Sequence, residues 1–251
     1  MTRPRENECY PLEVLAAGGD GLVVGSHGGD LYISGQRYDL KRVCGAAVAC
    51  AKQSLIVVLT LQKEAVVLSR DVSTDVWKEV ARHLMPKRPT SAVFAIARQQ
   101  VVVADAFGDV YALPIASSLN LRDDQTQAEV LILGHFSTVT SLALKDSLIA
   151  SADRDAKLRI SRFPDSFVIE SFCVAHQDFI TCVQWIGTKR IISGAGDGTL
   201  RCWNAADGSL LNTVDIRDHI PRHSNEENTR EEKWDLIELL QTSRCYRDEG
   251  R

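Results

Sequence analysis

The sequence lacks the features that mark secreted, membrane-spanning and RNA-coating proteins. It has no run of 18 apolar residues and starts with polar and charged residues, so we expect neither a membrane span nor a secretory leader. Its 33 acidic and 29 basic residues give a net charge of -4, and most of the acidic excess lies in residues 215–251. The rest of the chain is therefore nearly neutral and has no basic surplus of the kind that binds RNA unaided.

Paired cysteines and the common cofactor motifs are also missing. The seven cysteines are odd in number, scattered and free of any Cys-x-x-Cys pair, which argues against a disulfide framework and indicates a reducing compartment. We expect the nucleus, with the cytoplasm as a second location. No Walker motif or metal-ligand spacing occurs, and the glycines at 194, 196 and 198 lead into a strand rather than a helix. We therefore expect no cofactor or metal site.

The stretch 134–204 contains the same pattern twice. Each copy runs from a histidine through an apolar run to an Asp-containing turn and an alternating strand. His135 and His176 are 41 residues apart, and Asp155 and Asp197 are 42 apart. A repeat of about 40–45 residues that ends in Trp plus Asp or Asn is typical of the WD repeat, one four-stranded blade of a β-propeller. Such blades stack radially against their neighbours.

The second copy has the four polar side chains of the WD pattern, which we predict to form one hydrogen-bonded chain between inner and outer strands: His176, Ser193, Asp197 and Trp203. Ser, His and Asp are also the components of a catalytic triad. The spacing recurs with the repeat, however, as structural residues do and active sites rarely do. We therefore predict a structural tetrad.

The first copy is a degenerate form of the second. It has His135, Ser151 and Asp155 at the matching spacing, but Ser161 stands where the Trp belongs. We expect the same hydrogen-bonded chain there, without its last member.

The whole sequence is predicted to be all-β, a WD-repeat β-propeller with five recognisable blades in residues 12–214. Residues 1–11 form a polar lead-in, and residues 71–90 read as a charged, Pro-punctuated connector between the second and third blades. Seven blades are the commonest closure for WD propellers, so either the chain is shortened or its tail forms a closing element. We expect the first.

Residues 215–251 form a charged tail with two possible conformations. Thr229 with Glu232 fits a capping box, and the apolar residues at 234–240 are spaced as on a short amphipathic helix. The alternative is a frayed, disordered tail.

Several segments resemble one particular WD family. They are KRPTSAVFAIARQQVVVADAFGDVYALP at 87–114, SADRDAKLRIS with the following IESFCVAHQDF within 151–179, and ISGAGDGTLRCWNAADGSLL at 192–211. Together they closely resemble the WD-repeat non-catalytic subunit of the tRNA (guanine-N7-)-methyltransferase. The resemblance is strong over about 87–211, and the ESFC segment at 170–173 is its most discriminating part. Residues 12–86 match only as a blade pattern.

The resemblance implies a non-catalytic role. It implies a heterodimer in which a separate Rossmann-type subunit binds S-adenosylmethionine and methylates N7 of a guanosine in the tRNA variable loop. The propeller would bind and stabilise that catalytic subunit, shifting it toward an active conformation. It would meet tRNA only indirectly, through the complex.

The resemblance also implies a contact site. In this family basic residues of the fourth blade pair with acidic residues of the catalytic partner, and the matching positions here are Lys157 and Arg159, beside Arg154 and Asp155. Arg159 has a structural alternative, because Arg201 occupies its register one repeat later and Arg is common there in WD repeats. The family's usual Lys in the third-blade turn is absent, so no charge contact is carried over there.

Two other functions fit part of the sequence. A generic WD-repeat scaffold, for example a ubiquitin-ligase adaptor, would share the tetrad but not the ESFC segment or the paired Lys157 and Arg159. A protein that binds tRNA directly could use the basic pairs at 41–42 and 87–88 for phosphate contacts. The neutral body argues against the second.

Overall fold

The computed structural model describes residues 55–71, 73–74, 76–115 and 130–218, together with the strands that lie within 13–48. In those early strands, side chains are described at Leu31, Ile33 and Tyr38. Apart from two short 3-10 helices, at Ile96–Arg98 and Ile216–Asp218, the regular structure of the described residues is β-strand. No helix in these ranges is long and apolar enough to cross a membrane.

The described strands form five four-stranded sheets, and within each sheet consecutive strands pair antiparallel in chain order. In sequence, the strands are β1 (Glu13–Ala17), β2 (Val23–His27), β3 (Asp30–Ile33) and β4 (Gln36–Tyr38); β5 (Val43–Val48), β6 (Leu55–Thr60), β7 (Glu64–Asp71) and β8 (Val76–Leu84); β9 (Pro89–Ala95), β10 (Gln100–Asp105), β11 (Asp109–Pro114) and β12 (Val130–Gly134); β13 (Val139–Lys145), β14 (Leu148–Asp153), β15 (Leu158–Arg162) and β16 (Ile169–Cys173); β17 (Ile180–Ile186), β18 (Arg190–Ala195), β19 (Thr199–Asn204) and β20 (Leu210–Asp215).

The sheets stack face to face in chain order. The first strand of each sheet contacts the first strand of the next, in the series β1, β5, β9, β13 and β17. An apolar cluster fills each of the four gaps between successive sheets. Burying both faces of a sheet against neighbours is the packing of propeller blades. The predicted all-β fold with five blades is therefore confirmed.

Stacking on both sides explains why the second strand of each sheet is so apolar. β6 (LIVVLT) and β10 (QVVVAD) are buried at every position after the first. A strand covered on both faces reads as a continuous hydrophobic run rather than an alternating one. These runs are the apolar segments that recur along the sequence, one for each blade.

The predicted connector at 71–90 is wrong, because its middle, Val76–Leu84, is β8, the outer strand of the second sheet. Trp77 packs in the apolar cluster between the first and second sheets, and Ala81 in the cluster between the second and third. Arg82 is exposed and forms ion pairs with Glu79 and Glu64. Charged residues stand between the buried ones because this outermost strand of the sheet has an edge open to solvent, which gives the segment a loop-like composition.

The fifth sheet differs from the fourth in how far its last face is covered. Leu158 and Ile160 of the fourth sheet are completely buried against the fifth, whereas Leu200 and Cys202 at the same register positions are only half-buried. In the described residues, no contact as extensive as those between successive sheets joins the fifth sheet to the first. The predicted tail helix and the predicted lead-in lie outside the described residues.

Candidate functional site

Four side chains of the fifth sheet form one hydrogen-bonded chain. His176 Nδ1 lies 2.9 Å from Asp197 Oδ2, and His176 Nε2 lies 2.7 Å from Ser193 Oγ. Trp203 donates its Nε1–H to the same Ser193 oxygen at 2.8 Å. A neutral ring that donates from Nδ1 and accepts at Nε2 satisfies all three contacts, which fixes the tautomer we assign. The chain joins the turn after β18 to β18, β19 and the segment before β17.

Burial and hydrogen bonding set the charges in this chain. Burial lowers the pKa of His176, so the ring stays neutral near pH 7. Burial also opposes the ionisation of Asp197, but hydrogen bonds from Thr199, His176 and the Gln177 amide outweigh it and lower the pKa of Asp197 to about 2. The result is a charged acceptor beside a neutral donor.

The same distances would suit a Ser–His–Asp triad, but Ser193 cannot act as its nucleophile. Ser193 is completely buried, and its oxygen already accepts the Trp203 N–H. In such a triad the serine oxygen attacks the substrate carbonyl, so it must be open to the substrate. Here the arrangement ties neighbouring strands together instead.

The fourth sheet has the corresponding chain, with one residue different from the prediction. His135 Nδ1 pairs with Asp153 Oδ2 at 2.9 Å and its Nε2 with Ser151 Oγ at 2.7 Å. The expected partner, Asp155, is exposed and instead accepts a hydrogen bond from Ser137 Oγ. The assignment of Asp155 to the His135 chain is therefore wrong.

The position of Asp153 explains the exchange. It ends β14, is buried, and its Oδ1 accepts the turn amides of Asp155 and Lys157, which leaves Oδ2 facing His135. In the fifth sheet Ala195 holds this position, so the carboxylate two residues later takes its place. The repeat spacing aligns Asp155 with Asp197, but it does not show which carboxylate of the fourth sheet faces the histidine.

The residues expected to contact a partner lie close together on one turn. Arg154, Asp155 and Lys157 are exposed in the connection between β14 and β15, and Arg159 follows on β15. This connection is at the same end of the sheets as the segments that precede β13 and β17. The structure thus brings the four residues into one surface, which we call the cationic turn (residues 154–159).

Arg159 is the least exposed of the four predicted contact residues and makes an unusual set of contacts. Its Nη1 donates to the Gly134 carbonyl oxygen at 3.0 Å, but its Nε and Nη2 are buried without a hydrogen-bond partner among the described residues. Burial lowers its pKa, while the nearby Asp153 charge favours the protonated form. By contrast, Arg201 in the same register donates to Thr199 Oγ1 and lies 3.8 Å from Asp197 Oδ2. Arg159 is therefore not a simple copy of the structural arginine.

The cationic turn is joined by hydrogen bonds to the loop 135–138, which is joined in turn to the loop 106–108. Thr138 Oγ1 donates to the Ala106 carbonyl at 2.7 Å, and the Arg154 amide donates to the Thr138 carbonyl at 3.0 Å. The His135 amide donates to the Gly108 carbonyl at 2.9 Å. We call the surface formed by 106–108, 135–138 and the cationic turn the loop platform.

The ESFC segment lies elsewhere and has a structural role. Ser171 Oγ donates to the Ala205 carbonyl at 2.8 Å, and Cys173 is buried between the fourth and fifth sheets. Glu170 pairs with Arg162 on the neighbouring strand, and Phe172 faces outward. Alternate residues of this segment thus join two blades. No group of three His, Cys, Asp or Glu side chains suited to a metal occurs in the part of the chain described here.

Comparisons with known proteins agree on the fold and the family. The family model "tRNA methyltransferase TRM82 WD40 domain" matches residues 34–130 and 119–247. A chain from a crystal structure of the mitotic checkpoint complex superposes with a TM-score of 0.63 at 18% identity, covering 86% of this chain and 73% of that one. At that identity the structural likeness shows the fold alone.

Two curated relatives are both described as the non-catalytic subunit of a tRNA (guanine-N(7)-)-methyltransferase. The tRNA (guanine-N(7)-)-methyltransferase non-catalytic subunit TRM82 of Kluyveromyces lactis is 33% identical over 190 residues, covering 70% of this chain and 42% of the relative. The non-catalytic subunit wdr4 of Danio rerio is 33% identical over 150 residues, covering 56% of this chain and 33% of the relative. The chain thus spans less than half the length of these relatives. It belongs to the family of the tRNA methyltransferase TRM82 WD40 domain.

Proposed function

We propose that the chain is the non-catalytic WD-repeat subunit of a tRNA (guanine-N7-)-methyltransferase. It binds and stabilises the catalytic subunit in a heterodimer, and so supports 7-methylguanosine formation in the tRNA variable loop. The observation that carries this proposal is the cationic turn, which presents the exposed side chains of Arg154 and Lys157 beside the half-buried Arg159. The family membership and the printed names of the relatives support it.

The exposed cations of the turn explain why a carboxylate-bearing partner fits. Arg154 presents a guanidinium to solvent, and a carboxylate can accept two N–H groups of one guanidinium. Lys157 adds an exposed ammonium, and the half-buried Arg159 adds positive charge beneath them. Losing one partner of a desolvated charge pair typically costs about 2–5 kcal/mol of binding. The acidic residue would come from the catalytic subunit.

The division of labour places all the chemistry on the partner. S-adenosylmethionine and the methyl transfer belong to the catalytic subunit, and this chain holds that subunit in its active conformation. The buried hydroxyl of Ser193 supports a structural role for the one triad-like arrangement of the fifth sheet. The tRNA is reached through the complex. We place the complex in the nucleus, in line with the odd number of cysteines and the lack of a Cys-x-x-Cys pair in the sequence.

Co-expression with the catalytic subunit tests the proposal. The pair should co-purify and transfer methyl groups to tRNA, whereas this chain alone should transfer none. Lys157→Glu with Arg159→Glu should break the pair. The control is Lys189→Glu with Arg190→Glu, which makes the same charge change at the exposed β17–β18 turn, at the opposite end of its sheet. A chain that folds but never co-purifies would favour the generic scaffold.

A further inference from the structure

Two phenylalanine rings project from the loop platform into solvent. Phe136 is fully exposed and Phe107 is 65% exposed. Single exposed apolar residues are normal on protein surfaces, so exposure alone assigns nothing. These two rings, however, lie on loops that contact each other and the cationic turn. Aromatic side chains that become buried in an interface, beside charged residues, often contribute most of the binding energy.

The backbone beneath the rings is held in one arrangement. Gly108 has a φ of 102°, and a Cβ there would lie 2.4 Å from the His135 carbonyl oxygen, so only glycine allows this close approach. The two hydrogen bonds to the 106–108 loop, from the His135 amide and Thr138 Oγ1, close the contact. Because the loops are already ordered, a partner would lose little entropy in fixing them.

Positive charge surrounds the rings. Lys87 Nζ lies 4.1 Å from the centroid of Phe107, within the range of a cation–π contact. On the other side, Arg154 is joined to the Phe136 loop by its amide, and Lys157 follows in the same turn. Two acidic groups lie at this surface: Asp155, which accepts a hydrogen bond from Ser137 Oγ at 3.0 Å, and the half-buried Asp109 beside Gly134. A complementary surface would combine an apolar depression with acidic side chains around it.

We propose that Phe136 and Phe107 are the apolar anchors of the interface with the catalytic subunit. The rings enter an apolar depression on that subunit, and acidic side chains at its rim face Lys87, Arg154 and Lys157. This inference rests on the proposed function and adds to it a division of roles. The cations steer the encounter and set its salt dependence, while the rings slow dissociation.

Binding kinetics with the purified catalytic subunit test the anchors. Phe136→Ala should weaken binding by about 10-fold or more, mainly through faster dissociation, and adding Phe107→Ala should weaken it further. The slope of affinity against salt should not change. Lys157→Glu should instead slow association and flatten that slope. The control is Phe167→Ala, because Phe167 is 77% exposed in the β15–β16 turn, at the opposite end of the fourth sheet.

The outcomes separate this inference from the proposed function. If the alanine variants at 136 and 107 bind like the parent while Lys157→Glu with Arg159→Glu does not bind, the anchors are refuted and the proposed function stands. If Phe167→Ala weakens binding as much as Phe136→Ala, the anchors are refuted as well. If the parent chain does not bind at all, both proposals fail. Thermal unfolding of Phe136→Ala should match the parent, because the exposed ring of Phe136 does not pack in the core.

Discussion

The hydroxyl of Ser193 offers the sharpest test of what holds the blades together. It is completely buried and serves two neighbours, His176 Nε2 and Trp203 Nε1–H. Ser193→Ala removes both contacts and leaves two buried polar groups without partners. Each such group costs about 1–3 kcal/mol, so we expect the free energy of unfolding to fall by about 2–6 kcal/mol.

Ser151 provides the matched control, 42 residues earlier in the repeat. It is equally buried and contacts His135 Nε2, but Ser161 stands in the place of the tryptophan and does not contact it. Ser151→Ala should therefore leave one buried group without a partner and cost about 1–3 kcal/mol. The comparison isolates the contribution of the Trp203 hydrogen bond, because size, burial and the removed atom are the same.

Urea unfolding followed by far-UV circular dichroism measures both variants on one scale, with thermal unfolding as a second measurement. For a chain of this size, each kcal/mol lost lowers the melting temperature by about 2–4 °C. The Ser193 variant should lose about twice as much stability as the Ser151 variant. Equal losses of stability would show that the Trp203 hydrogen bond to Ser193 adds nothing. A Ser193→Ala variant as stable as the parent would refute the structural role of the hydrogen-bonded chain.

Three further outcomes follow from the same contacts. Burial lowers the pKa of His176 in the folded state below its usual 6.5, so as the pH falls the unfolded chain takes up the proton first. The stability of the folded chain should therefore be complete above about pH 6.5 and fall as the pH drops below it. The melting temperature of His176→Gln should depend less on pH than that of the parent. Asp153→Asn should lower the urea midpoint, costing about 1–3 kcal/mol, whereas Asp155→Asn should change it by less than about 0.5 kcal/mol; the reverse order would restore the repeat-based assignment. Gly108→Ala should destabilise the chain by more than about 1 kcal/mol, because its positive φ and the nearby carbonyl leave no room for a Cβ, and an unchanged melting temperature would contradict the described loop contact.

The repeat could be found in the sequence because blade geometry fixes its spacing. The histidine of the last two blades recurs at His135 and His176, where each blade needs a buried link, and second strands such as β6 and β10 are continuous apolar runs because neighbours cover both their faces. These features depend only on the local chain and the stacking rule. They predicted the five blades of the described structure.

The parts that sequence reasoning missed depend on packing between elements. The exposed charges of β8, an outermost strand, hid its few buried residues, such as Trp77 between the first and second sheets and Ala81 between the second and third. Asp153 and Asp155 differ only in which carboxylate points inward, and spacing does not report direction. The half-burial of Arg159 arises from its reach to Gly134 on the previous sheet, a contact between residues 25 positions apart.

The equilibrium dissociation constant for the catalytic subunit, measured by titration calorimetry with the parent chain and with Lys157→Glu/Arg159→Glu, tests the central claim most directly. Removing a desolvated charge pair costs about 2–5 kcal/mol, so the variant should bind at least about 30-fold more weakly. Lys189→Glu/Arg190→Glu should bind like the parent. A charge-reversed cationic turn that binds with unchanged affinity would contradict the account.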